Sequence, residues 1–176
     1  RLSIVGGINT MKGDGNCGFR GNQKGITESG VKCPTSVAEY RKQIRDFIEE
    51  KSTQEPPLRD LLRSVYGTPL ETSLDPSSTS NSFQTLDNIW KDGVNYDRNG
   101  ANFSDWFDPH TVMPIESLRH QLTFVVHTTG KKTTQLWHYD HSSGRVLYAC
   151  GPDDTYYKPV PNAVCLVYDG NVHFDY

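Results

Sequence analysis

No stretch of the 176-residue chain approaches the eighteen or so consecutive apolar residues that span a bilayer, and the N-terminus lacks the charged-then-apolar pattern of a secretion signal. A membrane role is therefore not expected. Positive charge is also missing: the formal net charge is -3, and lysine and arginine are scattered rather than clustered. That removes the electrostatic footprint of a nucleic-acid-binding surface. Cysteine is sparse, with Cys17, Cys33, Cys150 and Cys165 spaced too widely and irregularly for a zinc knuckle, and no CxxC pair occurs. No metal or cofactor is expected. A chain of this size with its own core does not need disulfides, so the expected compartment is reducing and cytoplasmic. No internal repeat is visible.

What is present is enough for one domain over residues 1–176, with 35% of the residues hydrophobic. The chain starts at Arg1 without an initiator methionine and ends just past a His-Phe-Asp triplet, which leads us to expect a domain cut from a longer protein. Leu2 to Val5 reads as a short strand. Ser36 and Glu39 form a capping box ahead of a helix over 36–51, with Val37, Tyr40, Ile44, Phe47 and Ile48 on its buried face and Arg41, Lys42, Arg45, Asp46, Glu49 and Glu50 on the other. Pro56-Pro57 opens a shorter helix burying Leu58, Leu61, Leu62 and Val65. Residues 67–82 read as a surface loop, 83–93 as a short helix, 95–104 as polar, and 112–121 as a further helix.

The period then changes to that of strands. Leu122 to Thr128 and Thr133 to Tyr139 form a hairpin, Arg145 to Cys150 follows, and the apolar run Ala163 to Tyr168 predicts a central strand covered on both faces. Cys165 and Cys150 in these runs read as small buried hydrophobes. Helices first and strands last predict an α+β domain with helices packed on a largely antiparallel sheet.

The chemistry gathers at the two ends. Gly13-Asp14-Gly15-Asn16-Cys17-Gly18 sets a cysteine in a glycine-bracketed turn, where Asp14 or Asn16 can cap a helix starting at the thiol. A helix N-terminus and a nearby imidazole are the usual means of making a thiol nucleophilic, and such a turn leaves backbone N–H groups free to meet a developing oxyanion. The stretch also matches GxGxxG, but the strand–helix–strand unit required for dinucleotide binding is not there. Among the six histidines, His173 has a carboxylate set by strand geometry: residues two apart face the same way, so His173 and Asp175 project together while Phe174 turns to the opposite face. Asp175 can then fix the imidazole tautomer and leave the other ring nitrogen for the thiol. His138 and His141, around Asp140, read as an exposed polar turn rather than a metal pair.

Together, Asp14-Gly15-Asn16-Cys17-Gly18-Phe19-Arg20 and Val172-His173-Phe174-Asp175-Tyr176 resemble the nucleophile motif and the closing His-aromatic-Asp/Asn motif of the ovarian tumour (OTU) cysteine proteases, in the same order along the chain. The resemblance implies an OTU-like, papain-type fold and hydrolysis of the isopeptide bond after the C-terminal glycine of ubiquitin. By that resemblance Cys17 attacks, His173 activates it and Asp175 orients the imidazole. Asp14 matches the acidic position of the loop, shaping the oxyanion hole with backbone groups around Gly15, Asn16 and Cys17. Trp106 would wall the channel to the thiol. Gly18, Gly21 and Gly25 depart from the family pattern and weaken the helix after the cysteine. The partner implied is ubiquitin or a ubiquitin-like protein. Two other readings are a protease that processes its own flanking chain and a catalytically silent ubiquitin-binding module.

Overall fold

A computed structural model describes residues 8–13, 15–56, 58–62, 65, 107–152, 163–170 and 173–176. The strand expected at Leu2 to Val5, the segments at 67–82, 83–93 and 95–104, and the residues Asp14 and Trp106 lie outside them. Helices α1 (Cys17–Glu28), α2 (Val37–Ser52), α3 (Leu58–Leu61) and α4 (Pro109–His120) precede strands β1 (Thr123–Thr128), β2 (Thr133–Asp140), β3 (Arg145–Pro152), β4 (Ala163–Tyr168) and β5 (Phe174–Asp175). No helix among the described residues is long and apolar enough to cross a membrane.

The strands form one sheet in the order β3-β2-β1-β4-β5. Three of its four pairings are antiparallel, and β1 runs parallel to β4 in the register Phe124 to Val164 and Val126 to Leu166. The sheet is therefore mixed. Its register puts Phe124, Val126, Trp137, Val146, Val164, Leu166 and Phe174 on a single face, where all are buried in one core with Phe19, Ile26, Tyr40, Ile44 and Ile48 of the first two helices and Val112, Met113 and Ile115 of α4. The result is an α+β architecture.

Local sequence accounts for the helix ends. Ser36 accepts a hydrogen bond from the Glu39 N–H at 3.4 Å and starts α2. The helix expected at 112–121 begins instead at Pro109, because Asp108 accepts from the His110 N–H at 3.1 Å and a proline at the first position needs no donor. Gln121, at φ 55°, ends it in the left-handed region.

Four expectations are corrected. β4 is not covered on both faces: Val164 and Leu166 are buried while Cys165 is exposed, and β1 is the strand buried on both sides. Cys150 is likewise exposed. Arg41, assigned to the solvent face of α2, is 1% exposed. Finally, α1 is not shortened by its glycines but runs for 12 residues. A Cβ added at Gly25 would lie 2.4 Å from Val164 Cγ1, and one at Gly18 would lie 2.3 Å from the Phe107 ring, so these glycines let the helix approach its neighbours more closely than any larger residue allows. Burial of the apolar surface of β4 and Phe107 offsets the helix propensity that glycine loses.

A buried polar chain ties the helices together. The Tyr40 hydroxyl accepts from Asn22 Nδ2 at 2.7 Å and donates to Glu116 Oε2 at 2.7 Å, and Glu116 also pairs with Arg119 at 3.0 Å and meets His120 Nε2 at 3.2 Å. Burial acts to raise the Glu116 pKa, but the hydrogen bond with His120, the Arg119 charge and the Tyr40 hydroxyl together hold it below its ordinary value. Burial first, then Glu116, pushes the neighbouring Cys33 thiol up to about 11.

Candidate active site

Cys17 is the first residue of α1, and its side chain is 3% exposed. Gly15 precedes it at φ 81°, a conformation that side-chain-bearing residues rarely adopt, and Asn16 follows at φ -107° and ψ 10°. The Asn16 carbonyl accepts from the Arg20 N–H at 3.0 Å, closing the first helical turn. Its side chain does not cap the helix but accepts from Arg41 Nη1 at 2.8 Å.

The C-terminal residues are fixed by a tight return of the chain. The Asp169 N–H donates to the His173 carbonyl and the His173 N–H donates to Asp169 Oδ1, both at 3.1 Å. Phe174 is buried against Tyr168, with stacked rings 4.5 Å apart, and against Phe107, edge-on at 5.1 Å. His173 Nε2 lies 2.9 Å from Asp175 Oδ1, the geometry expected of side chains two apart on a strand. The same carboxylate oxygen accepts from the Met11 N–H at 3.0 Å.

The two ends of the chain lie side by side. Asn9 and Tyr176 exchange backbone hydrogen bonds, Met11 donates to Asp175, and a Cβ placed on Gly13 would lie 3.7 Å from His173 Nδ1. The imidazole therefore turns Nε2 to its carboxylate and Nδ1 toward the segment that enters the cysteine loop.

A cleft of about 610 Å³ opens beside Cys17; its walls include Gly170 and Phe174 but not His173 or Asp175. Gly15, Cys17, Phe107, Tyr168, Gly170 and Phe174 line it near the thiol, and Asp108, His110, Lys131, Gln135 and Cys150 line it farther along. Burial, then the neighbouring Asp169 and Cys17, raise the Tyr168 phenol above its ordinary value. In the outer part of the cleft the Gln135 amide lies 2.8 Å from His110 Nε2 and 3.2 Å from the Tyr148 hydroxyl. His138 and His141 are both exposed; His138 Nδ1 contacts Thr123 Oγ1 at 2.7 Å. Asp140 instead binds the Ser142 and Ser143 hydroxyls, which hold its carboxyl down to about 2. Among the described residues no three His, Cys, Asp or Glu side chains converge as metal ligands would.

Some of the residues that build this site were missed from sequence. Asp169 and Met11 act through turn and backbone hydrogen bonds that no local motif signals. Arg41 did carry a signal: Val37, Arg41, Ile44 and Ile48 recur at helical spacing, so its position lies within the apolar stripe although its charge argued otherwise.

The fold and cleft define an α+β protein of OTU-like architecture. Over 96% of its length the chain is similar to the crystal structure of an OTU deubiquitinase from Wolbachia pipientis wMel, with a TM-score of 0.58 and 15% identity over 85% of that chain. It is also similar to an OTU deubiquitinase from the same organism bound to ubiquitin, at a TM-score of 0.51 and 16% identity, covering 96% of this chain and 93% of that one. No protein-family model and no curated protein matches the sequence.

Proposed function

We propose that the protein is a thiol isopeptidase that removes ubiquitin or a ubiquitin-like modifier from conjugates, with Cys17 as nucleophile, His173 as general base and Asp175 as the residue that orients it. The observation that supports the reading is the disposition of the imidazole: Nε2 lies against Asp175, and Nδ1 faces Gly13 in the segment entering the Cys17 loop. The OTU-like fold and the ubiquitin-bound structure that resembles this chain support the choice of substrate.

In this mechanism His173 Nδ1 takes the thiol proton as Cys17 Sγ attacks the isopeptide carbonyl. The tetrahedral oxyanion is met by backbone N–H groups at the start of α1, where the helix dipole also favours negative charge. By the resemblance of the motifs, Asp14 would shape that loop; the assignment of Trp106 to the channel wall is a proposal that follows from the substrate's need for a narrow approach. The intermediate collapses by returning the proton to the leaving lysine amine. A water activated by the same imidazole then hydrolyses the thioester, regenerating the thiol. A reducing, cytoplasmic setting is part of this proposal.

The test is to incubate the protein with ubiquitin bearing a C-terminal electrophile and map the adduct. Attachment at Cys17 is expected. Cys150 lines the same cleft and is exposed, so attachment there instead would overturn the assignment of the nucleophile. Ubiquitin binding without an adduct would favour a silent binding module. Cleavage of its own flanks, tested by comparing Cys17→Ala with the parent in a longer chain, would favour a processing protease.

A further inference from the structure

The proposed isopeptidase chemistry depends on the loop before Cys17 holding one shape, and the residue best placed to hold it comes from another helix. We infer that Arg41 of α2 is a positioning residue that fixes the nucleophile loop through Asn16.

Arg41 is 1% exposed, although it sits in a helix whose neighbouring charges, Lys42, Arg45 and Asp46, reach solvent. Burying a guanidinium is costly, so the position needs a return that an aliphatic residue would not give. Two contacts contribute to it. The guanidinium carbon lies 4.4 Å from the centre of the Phe19 ring, on the first turn of α1, and Nη1 donates to Asn16 Oδ1 at 2.8 Å. Phe19 is fully buried against Phe107 and Tyr40, so the aromatic support under the guanidinium does not move. The planar fork then has a fixed orientation, and Asn16 is fixed with it.

The consequence falls on the residue next to Asn16. An asparagine at a helix start ordinarily turns its side chain inward to accept from the first backbone N–H groups. Here the side chain is drawn outward to α2 and makes no cap bond. The Asn16 side-chain oxygen is thereby held on α2 rather than on the first backbone N–H groups of α1. The same tether resists rotation of the Gly15–Asn16 peptide, which the glycine would otherwise permit. Holding reacting groups through supporting hydrogen bonds of this kind acts on the transition state more than on binding.

The inference rests on the isopeptidase reading, and the experiment separates the two. Turnover of ubiquitin carrying a C-terminal fluorogenic amide is measured for the parent, Arg41→Lys, Asn16→Ala, Asn16→Asp and the Arg41→Lys/Asn16→Ala double variant. Asn16→Ala is expected to lower kcat about tenfold or more, with KM within about twofold. Asn16→Asp, which keeps an acceptor for Arg41, should retain severalfold more kcat than Asn16→Ala. The double variant should be no slower than Asn16→Ala alone, because both changes cut one link. Losses that multiply, a change confined to KM, or equal losses in Asn16→Asp and Asn16→Ala would overturn the inference. The Asn16 pair decides the matter even where Arg41→Lys does not fold. Should the parent not turn over ubiquitin substrates at all, the isopeptidase reading fails. The same variants are then compared by the rate at which iodoacetamide alkylates Cys17, where the same ordering is expected and multiplied losses again count against the link.

Discussion

In the proposed mechanism His173 and Asp175 do different work, and their variants should differ accordingly. Removing the imidazole removes the base, so His173→Ala should lower kcat about 100-fold or more. Asp175→Ala leaves the base in place and is expected to cost less. It also removes the acceptor of the Met11 N–H, so this variant should melt at a lower temperature while His173→Ala hardly moves the midpoint. Steady-state kinetics and thermal denaturation of the two variants check both statements. Equal catalytic losses would mean that the carboxylate is indispensable to the site's structure. The sequence led to this pair because strand geometry imposes it; the third participant, the backbone of Met11, leaves no mark in side-chain chemistry.

At the scale of elements, α1 shows local propensity yielding to packing. Glycine in a helix interior costs about 1 kcal/mol relative to alanine, and Gly18, Gly21 and Gly25 argue against a stable helix on that ground alone. Yet the added methyl in Gly25→Ala would sit 2.4 Å from Val164 Cγ1 and 2.8 Å from Tyr176 Cε2. We expect Gly25→Ala to destabilise the protein by about 1–3 kcal/mol in urea titration, despite its better helix propensity. A stabilised variant would show that α1 has room to move off the sheet. The α2 stripe was legible because Tyr40, Ile44 and Ile48 follow the helical period and all three are fully buried. The polar face misled at Arg41, where a charge occupies a position that periodicity assigns to the interior.

For the molecule as a whole, the Asn22–Tyr40–Glu116–Arg119 chain joins α1, α2 and α4 behind the site. Glu116 has a folded pKa below its ordinary 4.5, so its ionised form stabilises the fold above that value and the contribution is lost as the pH falls through the lower, folded value. Glu116→Gln should therefore be less stable at neutral pH and show a flatter decline in stability as the pH falls below the ordinary value of 4.5. Denaturation midpoints measured across that range decide it, and an unchanged slope would assign acid sensitivity to other carboxylates.

By itself, the sequence determined the helix over α2, the β1–β2 hairpin, the α+β order of elements, and the residue types at each end from which thiol chemistry can be built. These follow from periodicity, capping and the alternation of strand side chains, all of which act over a few residues. Tertiary structure alone decided that β1 pairs in parallel with β4, that β4 keeps one face open with Cys165 on it, that Arg41 is buried against the nucleophile loop, and that Gly13 lies beside His173. Each of those joins segments far apart in the chain. Such contacts form only once the sheet order is set, and the sheet order reflects how all the apolar faces can be buried together rather than the preference of any one of them.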